Sequence, residues 1–247
     1  MIADSQMAHV VHYLFEWAGL VTGLLIYRSI RKRRSDSGLT TPGTFAVIIG
    51  GLLGAAIGNK LVFWVDNPHL WTGHATGLGT WLTGQSIVGA LLGGWLGVEI
   101  GKRISGISIR TGDDYVLPIL AGLIIGRIGC FLAGLHDGTY GIPTTLPWGV
   151  DFGDGVRRHP TQLYEAGLAL LALVTWPRWR LIFAHTPGLA FRVLILGYFL
   201  WRVGVDMIKP VPYEYVWGLS GVQLICMFGA ALIIIGLTRD YWRRQNE

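Results

Sequence analysis

The chain has 247 residues, of which 51% are aliphatic or aromatic, only 14% are charged and 36 are glycine. A composition so apolar and glycine-rich excludes a disordered or ordinary soluble protein and is the profile of a polytopic membrane protein. The net charge of +5 raises the question of nucleic acid, but the basic residues cluster at the ends of apolar runs, where orientation signals and anionic headgroups account for them.

Seven apolar runs near spanning length are predicted as helices, since about 20 residues cross a bilayer. They are approximately Val10 to Tyr27, Thr44 to Val65, Ser86 to Ile104, Tyr115 to Leu135, Gln162 to Trp176, Gly188 to Asp206 and Gly218 to Leu237. The fifth is short and ends at Pro177. Asp4 precedes the first run and a basic cluster, Arg31 to Arg34, follows it, so it reads as a retained span and not a cleaved signal peptide. The expected fold is an all-α integral membrane protein of seven transmembrane helices, forming a single membrane domain over residues 1–247.

Lys and Arg counts set the orientation. Arg28 to Arg34, Lys102, Arg103, Arg110, Arg178, Arg180, Arg239, Arg243 and Arg244 fall on one side. Arg157, Arg158 and Lys209 fall on the other. The N-terminus is therefore expected outside and the C-terminus in the cytoplasm. Trp64, Trp71, Trp81, Trp148, Trp201 and Trp217 lie near outer helix ends and read as interfacial anchors.

Glycines recur every four residues at Gly50, Gly54 and Gly58, and again at Gly89, Gly93, Gly97 and Gly101. Gly122, Gly126, Cys130 and Gly134 continue the spacing in the fourth run. Such stripes let helix backbones approach closely, within the chain or in a homodimer. Cys130 and Cys226 lie in different runs, so no disulfide framework is expected, and no metal-ligand spacing is present. Neither a metal nor a cofactor is predicted.

Several charges fall at membrane depth, where each must be compensated. Arg127 lies about 12 Å below the outer end of the fourth run at 1.5 Å per residue. Arg202, Asp206 and Lys209 occupy i, i+4 and i+7 of the sixth, a spacing that predicts one helical face. Glu165 and Gln162 open the fifth run, Glu16 lies in the first and Lys60 in the second. One reading makes these internal ion pairs: Arg202 with Asp206, Arg127 with Glu165, Lys60 with Glu16. The other makes Arg127, Arg202 and Lys209 a cationic cavity for a phospholipid headgroup, because guanidinium suits bidentate phosphate contact.

Residues 136–160 form a long outer, periplasmic loop rich in turn formers. His136 and His159 are its possible acid–base groups, because an ordinary histidine titrates near neutrality. Each could equally be a structural or surface histidine.

Five segments carry a family resemblance. They are Gly126-Arg127-Ile128-Gly129 with Phe131, Pro147-Trp148-Gly149-Val150, Arg158-His159-Pro160-Thr161-Gln162-Leu163-Tyr164-Glu165, Arg202 to Asp206, and Gly221-Val222-Gln223. In order and spacing the chain resembles the bacterial prolipoprotein diacylglyceryl transferases from Gly84 onward. The resemblance implies a multi-pass protein of the bacterial inner membrane that moves the diacylglyceryl group of phosphatidylglycerol to the lipobox cysteine thiol of a prolipoprotein. By motif position Arg127 and Arg202 would take the phosphate, with Asp206 and Glu165 orienting them. Arg158, His159, Gln162 and Tyr164 would complete substrate binding.

The chain also departs from that pattern. Val88 stands where the family usually has a third-span histidine, Cys130 stands for an asparagine, and Ala133-Gly134-Leu135-His136-Asp137 replaces an Asn-Gly-Glu run. His136, supported by Asp137, is accordingly the expected catalytic base, with His74 a second candidate. The departures leave two other functions open, a non-catalytic phospholipid-binding or accessory protein on the same scaffold and a transporter of an anionic solute.

Overall fold

The structure is a computed structural model that describes residues 4–33, 42–72, 84–108 and 110–246. His74 and Trp81 lie outside the described residues. The described residues contain seven long α-helices: α1 (Ser5–Arg33), α2 (Pro42–Asp66), α3 (Ile87–Ile104), α4 (Val116–Ala133), α5 (Thr161–Phe183), α6 (Leu189–Val205) and α7 (Gly221–Gln245). Five segments, Ser5–Arg33, Phe45–Asp66, Gly112–Asp137, Thr161–Phe183 and Gly221–Arg243, are long and apolar enough to cross a membrane, which makes this a multi-pass membrane protein. The other two long helices are less suited, because α3 carries Glu99, Lys102 and Arg103 and α6 has only 17 residues with Arg192 and Arg202.

The chain divides into two compact units. The first comprises residues 1–36, 110–191 and 207–210, and therefore holds α1, α4, α5 and the connection between the last two. The second comprises 37–109, 192–206 and 211–247, with α2, α3, most of α6, and α7.

In the first unit, Asp4 accepts a hydrogen bond from the Gln6 amide and caps α1, while Arg31, Lys32 and Arg33 occupy its last turn, opposite the helix dipole. α1 packs on α4 through small residues: a Cβ at Gly19 would lie 3.0 Å from the Gly122 carbonyl oxygen, and one at Gly129 would enter the Phe15 side chain. Gly126 does not join this contact, since no described atom lies within 4 Å of a Cβ placed there. The seam therefore follows Gly122 and Gly129, seven residues apart, and not the expected i, i+4 row. On its other side α1 leaves Leu14, Trp17, Leu20 and Leu24 more than half exposed, as side chains facing lipid are.

α5 continues through Pro177 to Phe183, beyond the stop expected there. Proline removes a backbone donor and crowds the preceding turn. Around that turn Thr175 Oγ1 donates to the Leu171 carbonyl at 2.6 Å and Trp179 Nε1 to the Ala172 carbonyl at 3.1 Å.

The connection from α4 to α5 is ordered by backbone pairing. α4 stops at Gly134, whose φ of 65° reverses the chain while its amide donates back to Cys130 and Phe131. A one-turn 3-10 helix, Gly134–Asp137, follows. Strands β1 (Val150–Asp151) and β2 (Arg157–Arg158) then pair antiparallel. The Gly141 amide donates to the His159 carbonyl at 2.8 Å, and the Ile142 amide to the Ile208 carbonyl at 2.8 Å. Gly141 is required there, because a Cβ would lie 2.6 Å from His159 Cβ and 2.7 Å from the Ile208 oxygen. Phe152, 4% exposed, fills the space beneath against Phe131 and Tyr140.

In the second unit, the two glycine stripes interlock antiparallel. A Cβ at Gly50, Gly54 or Gly58 would enter the carbonyl oxygen of Gly97, Gly93 or Gly89 respectively. The stripes thus serve packing within the chain, between α2 and α3. Ser220 and Gln223 form a reciprocal capping box at the start of α7, with the Gln223 amide on Ser220 Oγ at 3.1 Å and the Ser220 amide on Gln223 Oε1 at 2.9 Å. Gln223 Nε2 also donates to the Val203 carbonyl at 3.0 Å, tying α7 to the end of α6.

Candidate active site

Arg127 lies on the buried side of α4, 8% exposed, with Nη2 2.9 Å from Glu165 Oε1 of α5. Its Nη1 donates to Cys130 Sγ, one turn further along α4, at 3.8 Å. Glu165 is 3% exposed, so both charges are withdrawn from solvent and each needs the other. Gln162 precedes Glu165 by one turn and shares its face of α5. It is 1% exposed, and neither Oε1 nor Nε2 has a hydrogen-bond partner among the described residues. Buried amides are rarely left so, because the unmade bonds cost about 1–3 kcal/mol. This orphaned amide beside a buried guanidinium–carboxylate pair can receive a polar ligand.

A second cluster lies in the same unit. His12 of α1 has Nδ1 3.0 Å from Asp137 Oδ1 and Nε2 3.2 Å from Glu16 Oε1. The contact with Asp137 is close but not aligned as a straight hydrogen bond. Asp137 also accepts from Thr139 Oγ1. One ligand-capable atom each of His12, Cys130 and Asp137 lies within 4.8 Å of the others.

His136 is exposed on the 3-10 turn after α4, its ring centroid 6.4 Å from that of His9. The Asp137 carboxylate expected to support it turns to His12 instead. The reason is local, because neighbouring residues on a turn project in different directions while α1 brings His12 across the end of α4.

The loop motif is tied to its own backbone. Arg158 binds Asp154 through both guanidinium nitrogens at 2.7 Å and stands 5.2 Å over the Tyr140 ring. The guanidinium holds the Asp154 carboxyl down to about 2, from an ordinary 3.8, and the Asp154 carboxylate raises Arg158. Arg157 donates to the carbonyls of Gly149 and Pro147, at 3.0 and 2.7 Å. His159 Nδ1 lies 3.2 Å from the Tyr164 hydroxyl, which accepts from Trp148 Nε1 at 2.9 Å. The Pro-Trp-Gly-Val and Arg-His-Pro segments are thereby joined side chain to side chain.

In the second unit, Arg202 Nη2 lies 2.8 Å from Asp206 Oδ1, with both residues buried. Lys209 leaves the expected helical face: α6 ends at Val205, a 3-10 turn covers Asp206–Ile208, and Pro210 disfavours helix for the residue before it. Lys60 donates to the Gly84 carbonyl at 2.7 Å, while Glu16 sits beside His12. Val88, where the resemblance led to the expectation of a histidine, is 1% exposed.

Sequence reading missed His12. Its only signal was the i, i+4 spacing to Glu16, which reads as an ordinary helix pair.

The pattern of the prolipoprotein diacylglyceryl transferase family matches residues 7–239. Proteins named phosphatidylglycerol–prolipoprotein diacylglyceryl transferase are similar along most of the chain. The one from Rhizobium leguminosarum bv. trifolii is 29% identical over 242 residues, covering 90% of this chain and 85% of its own. That of Clostridium tetani is 30% identical over 228 residues, 87% of each. That of Bordetella parapertussis is 29% identical over 215 residues, 78% of this chain and 77% of its own. No solved structure matches. With its apolar helices, its linked loop motifs and a match spanning nearly its whole length, the chain belongs to the prolipoprotein diacylglyceryl transferase family.

Proposed function

We propose that this protein transfers the diacylglyceryl group of phosphatidylglycerol to the lipobox cysteine of prolipoproteins, from seven spans in the bacterial inner membrane with its N-terminus outside. Family membership supports the reaction, and one local observation carries the site. Gln162, fully buried and without a protein partner among the described residues, stands one turn from the Arg127–Glu165 pair. The amide receives polar atoms of the headgroup, and Arg127 donates to the phosphate as negative charge collects on the departing glycerol phosphate. Glu165 holds the guanidinium in its productive rotamer. Arg202, held by Asp206 within the second unit, is proposed to bind phosphate. Arg158, His159 and Tyr164 act in substrate binding by holding the outer loop over the site.

Purified protein in phosphatidylglycerol vesicles with a lipobox peptide tests this reading. A thioether-linked peptide is expected, and Gln162→Ala should raise the KM for lipid while the fold survives. A Gln162→Ala variant with unchanged kinetics contradicts the assigned site. Valine at position 88, where the resemblance led to the expectation of a histidine, favours one other reading, a protein that binds phospholipid without chemistry. That reading gains support if lipid binds and no thioether forms.

A further inference from the structure

We propose that His12, Cys130 and Asp137 bind a divalent ion of the zinc class, and that its open position takes the acceptor cysteine as thiolate. The second half rests on the transferase reading above; the first does not.

The donor set is one imidazole, one thiol and one carboxylate, supplied by α1, by α4 and by the turn after α4. Nitrogen, sulfur and oxygen donors in this combination suit a tetrahedral ion, and three protein ligands leave one position for water or substrate. Bonds of about 2.0–2.3 Å spread tetrahedral ligands roughly 3.3–3.8 Å apart. The three atoms already lie within 4.8 Å of one another, with His12 Nδ1 3.0 Å from Asp137 Oδ1. Small rotations of side chains complete the site.

The surroundings match. If Nδ1 faces the ion, Nε2 points at Glu16 Oε1, 3.2 Å away, in the carboxylate–histidine–metal relay that fixes ring and tautomer. Arg127 Nη1 donates to Cys130 Sγ, a contact that stabilises a thiolate. An imidazolium would satisfy Asp137 and Glu16 and reach Cys130 as well, but sets one positive charge against three acidic groups. A dication balances the thiolate and Asp137 together, while Arg127 remains paired with Glu165.

Such an ion supplies what Val88 cannot. Coordination deprotonates a thiol outright, and the proton leaves to solvent as the acceptor sulfur binds. That sulfur then attacks the diacylglyceryl carbon that bears the phosphate ester. A C–S bond forms, the C–O bond breaks, and glycerol 1-phosphate departs with the electron pair.

The test uses the full chain in detergent, stripped with chelator and titrated with cobalt(II). One equivalent should bind and give thiolate-to-cobalt charge-transfer absorption. Cys130→Ser should lose that band, and Glu16→Gln should weaken binding about 10–100-fold. A lipobox peptide should strengthen the band, and its Cys→Ser analogue should not. Absence of cobalt binding by folded protein, or equal binding by a His12→Ala, Asp137→Ala double variant, overturns the site. Binding with no response to peptide, or thioether formation undiminished after stripping, overturns the thiolate role. Transfer by a protein that binds no cobalt removes the metal and leaves the transferase standing. Binding without transfer in any metal form removes the transferase and leaves the metal.

Discussion

Arg127 and Glu165 meet at 2.9 Å across α4 and α5, with side chains 9% and 3% exposed. Removing one partner of such a pair strands a buried charge, whereas replacing both with apolar groups of similar volume can be neutral. Arg127→Ala should therefore lower stability by about 3–5 kcal/mol. The double replacement Arg127→Met, Glu165→Leu should recover most of it without recovering activity. Thermal unfolding in detergent, read beside transfer assays, separates the two effects.

Gln162 gives the opposite pattern. Its amide makes no bond among the described residues that would be lost, so Gln162→Leu should leave stability unchanged or raise it by about 1 kcal/mol through relief of desolvation. Affinity for phosphatidylglycerol should fall about tenfold, equivalent to the loss of one hydrogen bond to a charged headgroup. Binding to lipid-loaded nanodiscs, alongside a melting curve, checks both halves.

The glycine seam between α2 and α3 has no space for a methyl group. Gly54→Ala should destabilise by about 1–3 kcal/mol, since its Cβ enters the Gly93 carbonyl oxygen. Gly126→Ala, with open space at its Cβ, should cost little. Comparing the melting temperatures of these two variants tests whether the seam or the spacing motif matters.

Helix order was readable from apolar runs, because lipid imposes long helices on any span. The Arg127–Glu165 and Arg202–Asp206 pairs were readable as charges at depth that demand compensation. What escaped was set by tertiary context. α5 passes Pro177 although the ring removes one helical donor, with Thr175 and Trp179 donating to the nearby Leu171 and Ala172 carbonyls. His12 and Asp137 are far apart in sequence and meet only because α1 lies along α4, an approach that Gly19 and Gly129 permit.

The loop between α4 and α5 should resist acid. Asp154 has its pKa lowered from 3.8 to about 2 by Arg158. A depressed carboxyl contributes stability that is present above the unfolded value and is lost as pH falls through the folded one. The Asp154–Arg158 contact should therefore persist at pH 4 and fail only near pH 2. Arg158→Ala should return the Asp154 titration toward 3.8, as followed by carboxyl carbon NMR.

Mass spectrometry of a lipobox peptide, incubated with phosphatidylglycerol and purified protein, tests the central claim most directly. The wild-type protein should add one diacylglyceryl group in thioether linkage and release glycerol 1-phosphate. The Arg127→Met, Glu165→Leu variant, folded to the same extent, should give none. An unmodified peptide with folded wild-type protein, or equal product from that variant, would contradict the account.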